Sequence, residues 1–99
     1  MRLVWRPMAL EDRVAILEHI GQDNPIAACE VDDEIEATAE QARRQPKLYR
    51  AGRLRGTREA VVRPNYVLVY IVDGEEDDGM IVVLRVLHAA QQWPPTQSR

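Results

Sequence analysis

The side chains that could do chemistry concentrate in the middle of the chain. Between residues 43 and 63 the charged side chains are basic, with Glu59 as the one acid. The basic residues are Arg43, Arg44, Lys47, Arg50, Arg53, Arg55, Arg58 and Arg63. Clustered arginines can neutralise phosphates or complement an acidic protein patch, and both interactions weaken as salt rises. The segment is therefore the candidate contact surface, although a solvated basic loop without a ligand would carry the same charges.

Composition limits the kinds of protein this chain can be. The formal net charge is −3 over 99 residues, because acids dominate between Glu11 and Glu40. Dedicated RNA-binding domains are usually basic overall, so this acidity argues against one. The lone Cys29 has no partner for an intramolecular disulfide, and with His19 and His88 as the two histidines it gives no metal-ligand spacing. No Gly-rich phosphate loop or Ser-His-Asp arrangement is present, so we expect no cofactor and no metal.

The apolar runs are too short for a membrane protein. None approaches the roughly 20 residues that cross a bilayer, and the N-terminus lacks the apolar core of a secretory signal. We therefore expect no membrane partner and a cytoplasmic location. A chain of 99 residues supports one compact domain. We assign it to residues 1–95 and assign residues 96–99, after Pro94-Pro95, to a short flexible tail.

The first half of the chain predicts a strand followed by two helices. Residues 2–6 favour a short strand, and from Met8 to about Gln22 apolar or small residues recur every three or four positions, as in an amphipathic helix. These positions are Leu10, Val14, Leu17 and Gly21, with Ile16 and Ile20 widening the stripe. Asn24 is a good N-cap and Pro25 suits the first helical position, so a second helix should follow at once and form a hairpin with the first.

The second half predicts an antiparallel meander. The second helix presents Ala28, Val31, Ile35, Thr38 and Ala42 at three- and four-residue spacing, and Pro46 ends it. After a polar loop from Arg50 to Arg55, three strands are indicated by runs of Val, Ile, Leu and Tyr. They span about Thr57 to Val62, Tyr66 to Val72 and Met80 to His88. The acidic, Gly-containing segment from Asp73 to Gly79 is expected to be an exposed hairpin.

Four blocks, taken in order, resemble the RelE/ParE superfamily of bacterial type II toxins. They are Asn-Pro-x-Ala-Ala at 24–28, Gly-Thr-Arg-Glu at 56–59, Tyr-Val-Leu-Val-Tyr at 66–70 and Leu-Arg-Val-Leu-His at 84–88. The resemblance covers nearly the whole chain. It implies an α+β fold of order β-α-α-β-β-β, with an N-terminal helical hairpin packed on a mostly antiparallel four-stranded sheet.

The resemblance also implies a toxin held inactive by an antitoxin whose C-terminal segment wraps around it. The predicted strands carry more apolar surface than a two-helix hairpin readily covers. We therefore expect an acidic to amphipathic antitoxin segment to lie along the sheet and over the basic loop. Its candidate contacts are Val67, Val69, Val82 and Leu84.

Two active branches of the superfamily are open, and they differ in target. A ribosome-dependent mRNA endoribonuclease of the RelE type would use Arg58, Arg85 and His88 to position phosphate, stabilise charge and move protons. Those nucleases resemble one another in an arginine directly after the aromatic residue of the Leu-Val-Tyr strand, where this chain has Val67. Valine can neither bind phosphate nor stabilise a developing charge, so the nuclease set is incomplete.

The missing arginine favours the ParE-like branch, whose members act on DNA gyrase and are not hydrolases. In that case the target-binding surface would consist of Arg53, Arg55, Arg58, His88, Gln91 and Trp93, since arginine and aromatic side chains are common binding hot spots. A third possibility is an inactive relative that binds an antitoxin. Whether the chain is an enzyme depends on which of these holds.

Three of these residues also have purely structural explanations. Arg85 could pair with Glu59 across the sheet, which would satisfy two charges that are costly to bury alone. His88 could simply hydrogen-bond the backbone. Trp93, beside Pro94, could close the end of the core.

Overall fold

Two helices pack on a five-stranded sheet in the computed structural model, which describes residues 1–95 apart from the side chain of Glu76. The helices are α1 (Pro7–Gly21) and α2 (Pro25–Arg44). The strands are β1 (Arg2–Trp5), β2 (Arg50–Ala51), β3 (Arg58–Val62), β4 (Tyr66–Asp73) and β5 (Met80–His88). The predicted α+β class is confirmed, whereas the sheet has five strands and not four. The predicted tail at 96–99 lies outside the described residues.

The sheet order is β1-β5-β4-β3-β2. Strand β1 runs parallel to β5, and each of the other neighbouring pairs is antiparallel. The predicted meander of β3, β4 and β5 is therefore confirmed. The acidic hairpin between β4 and β5 contains a 3-10 turn at Glu76–Asp78. None of the helices within residues 1–95 is both long enough and apolar enough to span a membrane.

Helix α2 begins and packs as the sequence predicts. The side chain of Asn24 accepts a hydrogen bond of 3.0 Å from the backbone N–H of Ala27, and Pro25 occupies the first turn. This cap satisfies one of the N–H groups that a helix start leaves unpaired. The predicted inner face is buried: it consists of Ala28, Val31, Ile35, Thr38 and Ala42, together with Ala39.

Removal of this cap should weaken the fold measurably. We expect Asn24→Ala to lower the free energy of unfolding by about 1 kcal/mol, since the Ala27 N–H loses its acceptor. Urea denaturation followed by circular dichroism measures the change. Gln22→Ala, at an exposed position just before the cap, is the matched control and should change stability by less than about 0.5 kcal/mol. An equal loss in both variants would contradict a specific capping role.

Helix α1 is rotated relative to the stripe predicted from its sequence. Leu10 and Val14, predicted to face inward, are 47% and 54% exposed. Ile16 and Ile20, which were predicted to widen that stripe, do pack against the core, and together with the fully buried Ala9 they form the inward stripe. Both stripes have helical spacing, and the one with the small Ala9 lets the helix approach its neighbours closely.

An ion-pair network ties the two helices together at Arg13. Its guanidinium donates two hydrogen bonds of 2.9 Å to the carboxylate of Asp32 and one of 3.1 Å to Glu36. The guanidinium carbon also lies 4.6 Å from the centre of the Trp5 ring. The hydrogen bond to Asp32 raises the pKa of Arg13. These contacts accompany the orientation of α1 that leaves Leu10 and Val14 exposed.

Both faces of strand β4 are covered. Leu68 and Tyr70 join the core under the helices, and the Tyr70 hydroxyl donates to the backbone oxygen of Pro46 at 2.7 Å. On the opposite face, Val67 and Val69 form a small cluster with Leu87 that Trp93 packs against. The part of this apolar face around Val67 and Val69, which we expected an antitoxin to cover, is therefore covered by Trp93.

Candidate functional site

The basic loop begins with a strand that the sequence did not reveal. Residues Arg50 and Ala51 form β2, which pairs with Glu59 and Arg58 of β3. The prediction of an irregular loop from Arg50 to Arg55 is thus wrong for its first two residues. A two-residue strand has no alternating pattern to detect, because it exists only through its pairing with β3.

Three hydrogen bonds close this loop after β2. The Gly52 N–H donates to the Thr57 oxygen at 2.8 Å, and the Thr57 N–H and hydroxyl both donate to the Leu54 oxygen, at 3.1 and 2.6 Å. Gly56 has a φ of 85°, a left-handed conformation that favours glycine. A side chain at Gly52 would overlap the Thr57 hydroxyl. The Gly-Thr pair of the 56–59 block therefore shapes a tight loop with Arg53, Leu54 and Arg55 at its tip.

Glu59 anchors the loop from beneath. Its side chain is 1% exposed and accepts hydrogen bonds from the backbone N–H of Arg53 at 2.8 Å, from Arg53 Nε at 3.2 Å and from Arg50 Nη2 at 3.3 Å. Burial by itself would raise the pKa of Glu59, but the hydrogen bonds and charge of Arg53, with the hydrogen bond from Arg50, outweigh it and lower the pKa. The predicted pairing of Arg85 with Glu59 is wrong.

Arg58 is held on the opposite face of β3. It lies on the same face of β3 as Ala60 and Val62, which belong to the core under the helices. Its Nη1 donates a hydrogen bond to the backbone oxygen of Tyr49 at 2.6 Å. Its register partner on β4 is Tyr70. Burial raises the pKa of the Tyr70 hydroxyl, and the nearby Arg58 charge opposes that shift. Arg58 therefore joins the Tyr49 segment to β3 and does not share a surface with Glu59.

Arg85 is held by helix α1. Its Nε and Nη2 donate to the two carboxylate oxygens of Asp12 at 2.8 and 3.0 Å, and Asp12 also accepts from the Val86 N–H at 2.9 Å. The Asp12 hydrogen bond raises the pKa of Arg85. Strand β5 has a bulge next to Arg85. Val69 pairs with Arg85 and Tyr70 pairs with Val83, so Leu84 is the extra residue on β5.

No role was assigned to Asp12 from the sequence. The sequence signal that could have identified Asp12 was its position three residues after Ala9, because residues three apart lie on the same face of a helix. Strand β1 ends at Trp5, so β5 has no strand neighbour beside Val86 on that side. The Asp12 carboxylate takes the place of that missing neighbour.

Trp93 has a packing role, but it lies in a small cluster on the outer face of the sheet and not, as had been predicted, at the end of the main core. It packs against Val67, Val69 and Leu87, and its ring centre lies 5.8 Å from the guanidinium carbon of Arg85. Three of the four candidate antitoxin contacts are buried: Val67 at 3% and Val69 at 0% exposure beside Trp93, and Val82 at 5%, with Leu84 half-buried. Their antitoxin role stays a prediction, and contact with the fully buried Val69 would require neighbouring side chains such as Trp93 to move.

His88 ends β5 in an exposed position. Its Nδ1 accepts a hydrogen bond of 3.1 Å from the Ala90 N–H, and its ring meets the Tyr66 ring edge to face, with centres 5.5 Å apart. The backbone hydrogen bond proposed for His88 is confirmed. Gln91 and Arg55 are exposed as well.

The basic loop and the end of β5 meet at one pocket of about 380 Å³ on the outer side of the sheet. Arg50, Arg53 and Glu59 form part of its wall, and Val61 and Ala89 contribute apolar surface. His88, Gln91 and Trp93 do not line it. The six predicted target-binding residues therefore occupy separate places: the loop tip, the helix-facing side of β3 and the C-terminal segment.

The three candidate nuclease residues do not converge. Arg58 lies with Tyr70 on the helix-facing side, Arg85 lies opposite Val69 and is occupied by Asp12, and His88 is at the end of β5. Within residues 1–95, no group of three or more His, Cys, Asp or Glu side chains could hold a metal ion.

The comparisons with known proteins identify the family. The model of the family described as "ParE toxin of type II toxin-antitoxin system, parDE" matches residues 3–93. The chain belongs to this toxin family. Toxin RelE2 of Caulobacter vibrioides is 36% identical over 92 residues, which cover 91% of this chain and 97% of the relative. The putative toxin Y4kP of Sinorhizobium fredii is 32% identical over 94 residues, with coverages of 94% and 93%.

Solved structures support the fold of this ParE-family toxin. A chain of the chromosomal ParDE toxin-antitoxin system from P. aeruginosa superposes with a TM-score of 0.76 at 22% identity, over 89% of this chain and 95% of the other. The YoeB/ParE toxin from Agrobacterium tumefaciens gives a TM-score of 0.64 at 18% identity, over 89% and 98%. The resemblance read from the sequence blocks is confirmed at the level of the superfamily.

Proposed function

We propose that this ParE-family toxin inhibits growth by acting on DNA gyrase in the cytoplasm and that a cognate antitoxin neutralises it. It would then be a binding inhibitor and not an enzyme. The loop tip with Arg53 and Arg55 supplies the main docking surface, since it is rigid and exposed. His88, Gln91 and Trp93 would extend that surface only if the target reaches past the end of β5.

The carrying observation is the separation of Arg58, Arg85 and His88. A nuclease needs its phosphate-binding and proton-transferring groups within hydrogen-bond reach of one reacting centre. Here Arg58 is bonded to a backbone oxygen, Arg85 is bound by both oxygens of Asp12, and His88 accepts a backbone N–H. Val67, at the position of the missing arginine, is buried. These interactions favour a docking protein over a nuclease.

A supercoiling assay tests the proposed target. Purified toxin is added to DNA gyrase, relaxed plasmid and ATP, and we expect blocked supercoiling or trapped linear DNA. Replacing both Arg53 and Arg55 with alanine should raise the toxin concentration for half inhibition about 10-fold or more, as for the loss of interface arginines. Arg2→Ala, exposed on β1 at the opposite edge of the sheet, is the matched control and should behave as wild type.

The name of one relative, Toxin RelE2, supports a second candidate, a RelE-like mRNA endoribonuclease that acts on the ribosome. No effect on gyrase, together with mRNA cut on translating ribosomes, would replace the proposed target with this one. Arg58→Ala should then abolish cleavage while the fold is retained.

Induction of the chain in a bacterial host separates both activities from an inactive relative. We expect growth arrest that is relieved by co-expression of the neighbouring reading frame, the candidate antitoxin gene. Unchanged growth at good expression would show an inactive relative.

A further inference from the structure

The pocket beside the basic loop combines two exposed arginines with one buried carboxylate. Two guanidinium groups, those of Arg50 and Arg53, share one buried carboxylate, that of Glu59. The three charges sum to +1. Arg50 and Arg53 are 62% and 41% exposed at their side chains, whereas Glu59 is 1% exposed. The positive charge therefore faces outward and the negative charge lies beneath it.

Most of the donors on these two arginines are unused. A guanidinium carries five N–H groups. Arg53 directs Nε to Glu59, and Arg50 directs Nη2 to the same carboxylate. Within the described residues, the two terminal nitrogens of Arg53 and the Nε and Nη1 of Arg50 make no hydrogen bond. These groups are available to a second acceptor at the pocket mouth, and a bidentate carboxylate matches their planar geometry.

The apolar side of the pocket favours a protein segment over a nucleic acid backbone. Val61 is 58% exposed on the outer face of β3, and Ala89 and Val67 also line the pocket. A nucleic acid would present phosphates at every step and would require several cations. The cluster carries a net +1 on a chain of net charge −3, so it suits one carboxylate followed by an apolar side chain.

We propose that Glu59 is a positioning residue that holds Arg50 and Arg53 as a carboxylate-binding pair, and that an acidic segment of the antitoxin binds there with an apolar side chain against Val61. This inference rests on the proposed function, in which the chain has an antitoxin partner. It keeps the placement over the basic loop that was expected from the sequence and replaces the predicted contacts at Val67, Val69, Val82 and Leu84 with the exposed rim of the sheet, which requires no movement of Trp93.

Glu59 acts by preorganisation. Two neighbouring guanidiniums repel each other, and long arginine side chains lose considerable conformational freedom when a partner binds them. The buried carboxylate removes the repulsion and fixes the Arg53 backbone and side chain together through three hydrogen bonds. The Gln variant keeps the size of the side chain but loses the charge, so both arginines should become mobile.

A double-mutant cycle tests the proposal with the protein encoded by the neighbouring reading frame as the probe. Its affinity is measured by titration calorimetry for wild type, Glu59→Gln, Arg53→Ala and the double variant. We expect Arg53→Ala to weaken binding about 10-fold and Glu59→Gln about 5-fold. The double variant should bind more weakly than Arg53→Ala alone but more tightly than the product of the two losses, because Glu59 acts partly through Arg53 and partly through Arg50. Glu34→Gln, an exposed carboxylate 3.8 Å from Arg63, is the control and should change affinity less than 2-fold.

The outcomes separate this inference from the proposed function. The inference would be overturned if wild type binds but the affinity losses of Glu59→Gln and Arg53→Ala are fully additive, or if Arg53→Ala loses no affinity. Either result would leave the antitoxin partnership intact. No binding by wild type would overturn both. NMR of the Arg53 Nε–H gives a readout without any partner: we expect slow exchange in wild type and fast exchange in Glu59→Gln. Fast exchange in wild type would contradict the positioning role of Glu59. The Arg53→Ala variant changes an exposed residue and should fold normally, so its affinity still tests whether this surface binds the antitoxin.

Discussion

Asp12→Ala should lower the free energy of unfolding by about 3 kcal/mol, although Asp12 was assigned no role from the sequence. The substitution leaves Arg85, whose side chain is 19% exposed, without its bidentate partner and leaves the Val86 N–H without an acceptor. Breaking a largely buried pair by removing one partner typically costs about 3 to 5 kcal/mol, and partial solvation places this case at the lower end. Guanidinium chloride unfolding at pH 7 measures it.

The controls for this experiment lie on the same helix. Glu18→Ala, at an exposed position of α1, should change stability by less than about 0.5 kcal/mol. Asp12→Asn keeps one oxygen that can accept from Val86 and should fall between wild type and Asp12→Ala. If Asp12→Ala loses less than about 1 kcal/mol, the carboxylate is not what secures β5 beyond the end of β1.

Glu59→Ala should produce a loss of similar size, about 3 kcal/mol at neutral pH, because the loop then loses three hydrogen-bonding interactions with one buried carboxylate. Arg50 and Arg53 are exposed enough to be solvated, so the loss comes mainly from the Arg53 N–H and the loosened loop. Urea denaturation of both proteins measures the difference, with Glu34→Ala as the exposed carboxylate control. An unchanged free energy of unfolding would mean that the loop contributes nothing to stability.

The same pair of proteins makes a prediction about pH. The pKa of Glu59 is lowered in the folded state, so its ionised form stabilises the fold fully at pH values above the ordinary value of 4.5. As pH falls below 4.5 through the lower folded pKa, the native carboxylate is protonated and that contribution is lost. The stability difference between wild type and Glu59→Ala should therefore shrink in acid. Taking the difference between the two proteins cancels the pH-dependent contributions of other carboxylates, such as Glu40, whose pKa is also lowered.

The second helix shows how much the sequence alone can provide. Asn24 and Pro25 mark its start, and the spacing of Ala28, Val31 and Ile35 marks its buried face, because cap, turn and stripe are all properties of one short segment. The structure agrees on each of these points. The three strands of the meander were predictable for the same reason, since each carries its own apolar run and its own turn. Membership of the toxin superfamily also followed from local blocks in order.

The first helix shows where that approach fails. The sequence predicts one broad apolar stripe, and the structure buries the side of it with Ile16 and Ile20, next to Ala9, and exposes the side with Leu10 and Val14. Nothing within the helix decides between them. The choice depends on the acids of α2, which receive Arg13, and on the free edge of β5, which receives Asp12.

Local sequence patterns were enough to predict the fold class, the cap of the second helix, the strands of the meander and the family of this toxin, since those depend on neighbours within a few residues along the chain. The pairing of charges, by contrast, could be read only from the folded chain. Arg85 meets Asp12 and not Glu59, Glu59 gathers Arg50 and Arg53, and the two-residue strand β2 exists through its partner. Which charges meet depends on strand register, on the bulge at Leu84 and on where β1 ends, and these are set by packing between distant segments.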